Sequence, residues 1–198
     1  PLRLDSAATA LEAFYRFFER FQKITKQRFF NLPAPTRRDQ SPAEKPVSPG
    51  DLEPVFQTML ENATRVCHAK YGQLFLYEAD KNAFRAVATT DVASAWSDYL
   101  ASHPFIPADP MVPLGRVATT RAIVHVADVT QEQGYLQGFP GLVAVVKLGG
   151  ARTLLVVPML KENQLVGALG LYRQEVLPFT NKQIELIEAF ANQAVIAI

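Results

Sequence analysis

The sequence predicts an α+β domain in which an antiparallel sheet carries helices on its faces. Two hairpin patterns, one near each end of residues 51–198, enclose an irregular helical middle, and amphipathic helix patterns open and close this region. Hydrophobic residues make up 48% of the 198 residues and charged residues 20%, a composition that supports a packed core and excludes disorder of the whole chain.

Charge and cysteine content exclude several functional classes. The formal net charge of +1 gives no strong field for nucleic acid, and the longest apolar runs are too short to span a bilayer. Cys67 is the only cysteine, so the chain can form neither an internal disulfide nor a thiolate metal cluster. We therefore expect a reducing, cytoplasmic location.

The first 50 residues are predicted to lie outside the main domain. Residues 1–30 are expected to form a helical extension, because an amphipathic, aromatic-rich pattern runs from about Ala10 to Phe30. Residues 31–50 contain five of the 14 prolines, which is typical of a linker. Packing of the extension on its own domain or on a second copy is favoured over the alternative, a membrane surface.

The main domain is predicted to open with a helix and a hairpin. The helix over 52–69 begins after the capping residue Asp51 and carries apolar residues at i, i+3 and i+4 spacing. Residues 73–78 and 84–89 are predicted to form the two strands of the hairpin, joined by a polar turn.

The middle of the domain is predicted to be irregular and partly helical, because its apolar residues follow no single period and prolines interrupt them. The expected elements are a helix over 92–102, a proline-rich loop over 103–113, a short helix over 114–120, a short strand over 122–126, a short helix capped by Asp128 and a helix over 142–148.

Regular patterns return in the last third of the chain. Strands are predicted over 152–160 and 165–172, joined by a short polar turn. Thr180 and Gln183 have the spacing of a capping box at the start of the last helix. No Gly, Asn or Pro stops this helix before Ile198, so we expect the native gene to continue as a helix into a phosphoacceptor domain.

The region from Asp51 to Ile198 resembles a GAF domain, and specifically the kind found in bacterial sensor histidine kinases. The first 50 residues match no family pattern. The resemblance rests on the segments DLEPVF at 51–56, YGQLFLY at 71–77, GARTLLVVPM at 150–159, GALGLYR at 167–173, PFT at 178–180 and QAVIAI at 193–198.

The resemblance implies a GAF/PAS-like antiparallel sheet of five or six strands, with terminal helices on one face and a helical cap over a pocket on the other. Members of the family bind cyclic nucleotides, bilins, haem, flavins, amino acids or small metabolites, and many have no known ligand. In kinases they lie upstream of a dimerisation and phosphoacceptor domain.

By this resemblance the chain is a sensory module of a histidine kinase that senses an unidentified small molecule and transmits through its terminal helices. Two alternatives stay open: a dimerisation and transmission module without a ligand, or the GAF sensor of a diguanylate cyclase or transcription regulator. The chain is not expected to be an enzyme, because no set of nucleophile, base and orienting residue can be assembled. Its parent would be an ATP-dependent protein kinase.

Two known GAF chemistries are disfavoured by particular residues. Cys67 lies on the apolar stripe of the first helix, which indicates a core residue rather than a bilin attachment site, and GAF-type methionine sulfoxide reductases need several cysteines. Asn181 and Lys182 match part of the cyclic-nucleotide signature, but the chain has no Asp-Glu dipeptide. The sequence therefore assigns no cofactor.

A ligand pocket is predicted between the sheet and the segment 95–150. Strand alternation places Phe75 and Tyr77 on the pocket face, and apolar clefts with few polar anchors are typical of small-molecule sites. The alternative is that these side chains fill the pocket themselves. The candidate ligand-binding residues are Phe75, Tyr77, Trp96, Phe105, Met111, His125, Arg152 and Thr153.

Polar anchors for the ligand are fewer and less specific. Arg116, Arg121 and Arg152 are candidates for holding an anionic group. His103 or His125 could act as a single haem ligand, but neither has a second histidine or cysteine at ligand spacing, and no metal site is predicted.

The last helix is predicted to form the interface of a homodimer. A second apolar stripe, formed by Leu186, Phe190 and Ala197, would cover the sheet, and the helix that begins at Leu52 would join a parallel bundle. The alternative is that the N-terminal extension covers the exposed stripe and the chain stays monomeric. The predicted seam, spaced by three and four residues, is Ile184, Ile187, Ala191, Ala194 and Ile198.

Overall fold

The computed structural model describes residues 49–90 and 94–198. The predicted helical extension and almost all of the predicted linker therefore lie outside the described residues. The helices are α1 (Pro49–Val66), α2 (Ser94–Ser102), α3 (Pro113–Thr120), α4 (Gln133–Leu136), α5 (Pro140–Lys147) and α6 (Asn181–Ala197), with a 3-10 turn at Val129–Gln131. The strands are β1 (Tyr71–Glu78), β2 (Ala83–Thr89), β3 (Ile106–Pro107), β4 (Val124–Val126), β5 (Thr153–Lys161) and β6 (Gln164–Arg173).

The strands form one six-stranded antiparallel sheet in the order β3-β2-β1-β6-β5-β4. The N-terminal hairpin and the C-terminal hairpin meet at its centre, where β1 pairs with β6 from Tyr71 opposite Tyr172 to Leu76 opposite Gly167. This arrangement confirms the predicted fold class, an α+β domain on an antiparallel sheet.

The terminal helices α1 and α6 pack on one face of the sheet and on each other. Phe56, Leu60 and Ala63 of α1 are buried there. Gly72 of β1 allows α1 to come close, because a Cβ at this position would lie only 2.7 Å from Cγ2 of Thr64 and 2.9 Å from Cδ1 of Leu60. We call this side of the sheet the helix face.

The other side, the cap face, is covered by the chain between β2 and β5. Its side chains form two separate clusters of buried residues. The tyrosine cluster consists of Tyr71, Trp96, Val126, Val129, Leu142, Ala144, Val145, Ala151 and Tyr172. The phenylalanine cluster consists of Phe75, Phe84, Ala108, Val117, Val156 and Ala168.

The start of α6 has the capping box that its sequence predicts. The hydroxyl of Thr180 accepts a hydrogen bond from the backbone N–H of Gln183, and Oε1 of Gln183 accepts one from the backbone N–H of Thr180. These two bonds satisfy donors that a helix start otherwise leaves unpaired.

The prediction that the heptad stripe of α6 forms a dimer seam is wrong. Ile187, Ala191 and Ala194 are at most 1% exposed, because α6 turns this stripe onto β5, β6 and α1. Ile184 is half-buried, and only Ile198 is exposed. A spacing of three and four residues suits an intramolecular sheet contact as well as a coiled coil, so the pattern alone could not separate the two.

The main differences from the predicted elements are an added strand and an earlier helix end. The proline-rich stretch contains β3, whose Ile106 and Pro107 pair with β2 at the edge of the sheet, where a proline is tolerated. Helix α1 ends at Val66, before the predicted residue 69, because His68 adopts a φ of 50° and turns the chain towards β1. No helix among the described residues combines the length and apolar character that crossing a bilayer requires.

Ile187→Glu should destabilise the domain by more than about 3 kcal/mol, because it places a carboxylate in a fully buried apolar site. The matched control is Ile196→Glu on the same helix, where the isoleucine is 79% exposed. Chemical denaturation should show a large fall in midpoint for the first variant and little change for the second. Equal midpoints would contradict the assigned orientation of α6.

Candidate functional site

Three buried polar side chains on the cap face have no hydrogen-bond partner among the described residues. They are Nε2 of Gln73, Nε1 of Trp96 and the hydroxyl of Tyr172, and the three residues are 5%, 3% and 1% exposed. Buried polar groups in native proteins nearly always have partners, so such a group calls for an explanation. Three of them on one face mark a candidate binding site.

The sheet register brings two of these groups together. Tyr71 pairs with Tyr172 and Gln73 pairs with Gly170, so Gln73 and Tyr172 lie diagonally across β1 and β6. Alternation along β1 puts Gln73 on the same face as Tyr71 and Phe75, which belong to the two cap-face clusters. The ring of Phe75 lies against Gly170, since a Cβ there would be 3.3 Å from Cε2 of Phe75.

Trp96 reaches this site from the cap. It is the buried residue of α2 and packs in the tyrosine cluster with Tyr172. Its ring stacks on that of Tyr99, with centroids 5.4 Å apart, and the rings of Tyr71 and Tyr172 lie 5.0 Å apart. The candidate site therefore takes its residues from β1, β6 and α2, and aromatic rings make up much of the cluster that holds Trp96 and Tyr172.

The three unpaired groups can all donate hydrogen bonds. Burial raises the pKa of Tyr172, with a smaller contribution from Tyr71, so the hydroxyl stays protonated. An indole N–H is only a donor, and the side-chain amide of glutamine donates through Nε2. Gly149 allows its own backbone to lie close to the Tyr172 hydroxyl, since a Cβ at this position would lie only 2.8 Å from the hydroxyl oxygen. The arrangement suits a ligand that carries hydrogen-bond acceptors.

Phe75 and Tyr77 lie on the cap face, as strand alternation predicts. Phe75 belongs to the phenylalanine cluster and Tyr77 packs against it, with ring centroids 6.4 Å and 5.0 Å from that of Phe84. The hydroxyl of Tyr77 donates to Oδ1 of Asn82. These two residues therefore sit in a different cluster from Trp96.

Phe105 and Met111 lie away from the unpaired groups. Phe105 is 38% exposed, and Nζ of Lys81 lies 3.9 Å from the centre of its ring. Met111 is half-buried, and its backbone N–H donates to Oδ1 of Asp109. Neither residue belongs to the tyrosine cluster or the phenylalanine cluster.

The prediction that His125 lines the cap-side pocket is wrong. Val124 and Val126 of β4 point to the cap face, so alternation turns His125 to the helix face. There its Nε2 accepts a hydrogen bond from the backbone N–H of Phe179, and the two rings lie edge to face.

Thr153 is likewise on the helix face, which corrects its predicted role in the pocket. It is fully buried, and its hydroxyl shares its single proton between the carbonyls of Ala127, at 2.7 Å, and Glu175, at 3.0 Å, while it accepts from the N–H of Leu177. These contacts fix the connection between β6 and α6. Thr153 thus positions that connection.

Two of the three candidate arginines have carboxylate partners in the cap. Nε and Nη2 of Arg152 donate to Oδ1 and Oδ2 of Asp128, at 3.2 and 2.9 Å, and Arg116 pairs with Glu132. Hydrogen bonds from Arg152 and Thr130 hold the pKa of Asp128 well below its usual range. These arginines organise the cap. Arg121 lines a separate cleft of about 300 Å³ between β5 and α6.

Cys67 is a core residue, as predicted. Its side chain is completely buried, and burial raises the pKa of its thiol to about 12. A thiol that stays protonated is neither a good nucleophile nor a ready attachment point. Among the described residues, no group of three or more His, Cys, Asp and Glu side chains is arranged to hold a metal ion.

Arg173 is a functional candidate that the sequence analysis missed. It is 3% exposed and lies on the helix face at the end of β6. Its Nη2 donates to the carbonyl of Cys67 and to Oε1 of Gln183, and its Nη1 donates to the carbonyl of Leu177. The guanidinium lies 4.2 Å from the ring centre of Phe179. One side chain thus joins the end of α1, the β6–α6 connection and the start of α6.

The family-model comparison decides the family: the GAF domain model matches residues 51–198. The chain belongs to the GAF family. GAF domains are sensory and regulatory modules. Among curated proteins, none matches this sequence.

Solved structures show the same GAF fold at low sequence identity. The GAF domain of a phosphoenolpyruvate-protein phosphotransferase from Coxiella burnetii is 18% identical over 74% of this chain and 82% of its own, with a TM-score of 0.61. A GAF domain/HD domain protein from Geobacter sulfurreducens is 16% identical over 75% and 92%, with a TM-score of 0.62. A domain of a putative two-component sensor histidine kinase from Sinorhizobium meliloti is 16% identical over 74% and 89%, with a TM-score of 0.57.

Protonation of His125 should destabilise this GAF domain. His125 is partly exposed, but the burial of its remaining surface, and then the positive charge of Arg173, lower its pKa below the ordinary value of 6.5. As the pH falls through about 6.5, the unfolded chain therefore binds a proton more readily than the folded domain, and the free energy of unfolding decreases. His125→Gln should reduce this loss between about pH 7 and pH 5, as measured by urea denaturation.

His103 provides the control for this measurement, because its ring stacks on Tyr99 at the end of α2, whereas that of His125 packs on Phe179 beside Arg173. His125→Gln should reduce the pH dependence more than His103→Gln does. If both variants kept it equally, His125 would not be the titrating group.

Proposed function

We propose that this chain is the sensory GAF module of a bacterial signalling protein and that it binds a small molecule beneath the cap. The observation that carries the proposal is the set of three buried, unpaired groups on Gln73, Trp96 and Tyr172. The ligand would be a compound with at least two hydrogen-bond acceptors and an apolar body, matching the donors and the aromatic walls.

The energy of the unpaired groups supports a binding role over a purely structural one. Each buried polar group without a partner costs about 1–3 kcal/mol, against a typical total stability of about 5–15 kcal/mol. A site that only had to pack would be more stable with apolar side chains at these positions. Binding sites commonly keep such groups at the expense of stability.

Signal transmission would run through the end of β6. Tyr172 and Arg173 are consecutive, so they point to opposite faces of the sheet. Tyr172 contributes to the proposed ligand site, and Arg173 holds the start of α6 and the end of α1. A ligand that moves Tyr172 would shift Arg173 and thereby bias the terminal helices.

The rival proposal is a transmission module without a ligand. It is favoured by the packing of the cap face, where the tyrosine and phenylalanine clusters fill much of the space between sheet and cap. The two clefts described for the chain both lie outside these clusters. Under this proposal, no small molecule would bind at Tyr172.

We further propose a histidine kinase as the parent protein. The support is the likeness to the domain of a putative sensor histidine kinase, together with the segment resemblance in the sequence. Autophosphorylation of the full-length gene product with ATP tests this proposal. A reading frame that encodes neither a phosphoacceptor histidine domain nor an ATP-binding domain would contradict it.

Self-association is proposed through the exposed end of α6. Ile196 is 79% exposed and Ile198 38%, and both are apolar. Sedimentation velocity should show a dimer that Ile196→Glu weakens without unfolding the domain. A wild-type chain that is monomeric at tens of micromolar would contradict the proposal for this chain.

Tyr172→Phe should raise stability and weaken ligand binding at the same time. Removal of the unpaired hydroxyl relieves its desolvation cost, up to about 1–3 kcal/mol, and removes one bond to the ligand, worth about threefold to tenfold in affinity. Thermal shift with a panel of amino acids, nucleotides and flavins identifies a binder, and calorimetry compares its affinity for the two chains.

Tyr77→Phe is the matched control, because that hydroxyl already has a partner in Asn82. It should lower stability slightly or leave it unchanged and should not affect binding. If no compound of the panel bound the wild-type chain, or if Tyr172→Phe bound it equally well, the ligand-free module would be favoured.

A further inference from the structure

A second concave surface lies on the far side of Arg173 from the cap. It is a cleft of about 600 Å³ between the end of α1 and the end of β6, within the usual size range of small-molecule sites. We infer that this cleft binds a small multivalent oxyanion, one that carries carboxylate or phosphate groups. Its polar walls are formed by Arg65, His68, Lys70, Arg173 and Glu175.

The charge of the cleft favours an anion. Arg65, Lys70 and Arg173 provide three cationic groups, against the single carboxylate of Glu175. Arg65 and Lys70 are exposed, and neither forms an ion pair among the described residues. Arg65 donates instead to the neutral side chain of Asn62. Nζ of Lys70 lies 5.6 Å from the ring centre of Tyr71. Because neither side chain has a carboxylate partner among the described residues, both can contact an anion that enters the cleft.

Arg173 supplies an independent observation that points to a ligand. Its Nη atoms donate to neutral carbonyl and amide oxygens, while its buried Nε has no partner among the described residues. A buried cation normally has a counterion, because removal from water is costly. Among the described residues, its guanidinium has no carboxylate within ion-pair distance. An oxyanion at this wall of the cleft would supply the missing charge and could accept from Nε.

The shape and electrostatics favour a multivalent anion over a single charge. The C-terminal end of α1 presents carbonyl groups, whose partial negative charge opposes anion binding. Several cations at once are needed to overcome this, and they are spread over α1, the residues that follow it and β6. A ligand with two or three negative groups can contact more than one of them.

Such a ligand would also connect the two ends of the domain. Arg65 lies on α1, while Arg173 and Glu175 lead into the connection to α6. Binding would hold the end of α1 against the start of that connection, on the opposite face from the proposed ligand site. The cleft therefore provides a second input, separate from the one at Tyr172.

Phosphate and citrate, each at constant ionic strength, are the probes for this inference. Backbone amide resonances of residues 64–70 and 173–175 should shift on titration with at least one of them, and the thermal midpoint should rise. The double variant Arg65→Ala/Lys70→Ala should bind at least tenfold more weakly. Lys161→Ala, at the exposed turn between β5 and β6, is the control and should bind like the wild-type chain.

Equal binding by the double variant, or shifts confined to other parts of the chain, would overturn the inference. Tyr172→Phe separates this site from the one beneath the cap: it should leave citrate and phosphate binding unchanged. Absence of any shift at residues 64–70 with both probes would also overturn it, whatever the outcome of the ligand panel.

Discussion

The arrangement of the two terminal helices depends on the buried guanidinium of Arg173. Its hydrogen bonds reach the carbonyl that follows α1, the connection after β6 and the capping glutamine of α6. Gln183 contributes three hydrogen bonds, since Oε1 accepts from the backbone of Thr180 as well as from Arg173, and Nε2 donates to the carbonyl of Cys67. A buried charge held only by neutral acceptors is costly, so its retention indicates a role beyond packing.

The sheet gives this interaction its functional meaning. The last two residues of β6 point to opposite faces of the sheet. Tyr172 packs in the tyrosine cluster, and Arg173 lies among the terminal helices. A sensory module needs a link from its ligand site to the terminal helices. Here that link would be the peptide bond between Tyr172 and Arg173. Coupling of this kind requires two conformations of the domain that bind the ligand with different affinities. The end of β6 can link them, because a shift of Tyr172 on the cap face would move Arg173 among the terminal helices.

The sequence predicted the local and periodic features well. The capping box of α6, the two hairpins and the cap-facing side of Phe75 depend on near neighbours or on strand alternation, so they follow from spacing alone. Sequence-based prediction failed for side chains whose placement depends on tertiary packing. Ile187 fits a dimer seam and a core stripe equally well, and the strand of His125 is too short to fix its phase by pattern. Gln73, Tyr172 and Arg173 look like ordinary polar positions in strands, because their burial and missing partners exist only in the folded chain.

The resonance of the single indole N–H in the chain tests the central claim most directly. Trp96 is the only tryptophan, so its ¹H–¹⁵N signal needs no assignment, and buried Nε of Arg173 gives a second probe on the other face of the sheet. The account predicts an indole proton that exchanges slowly with water and that shifts, together with the Arg173 signal, when a compound from the panel of amino acids, nucleotides and flavins binds. An indole proton in rapid exchange with water, or a bound compound that leaves the Trp96 signal unchanged, would contradict it.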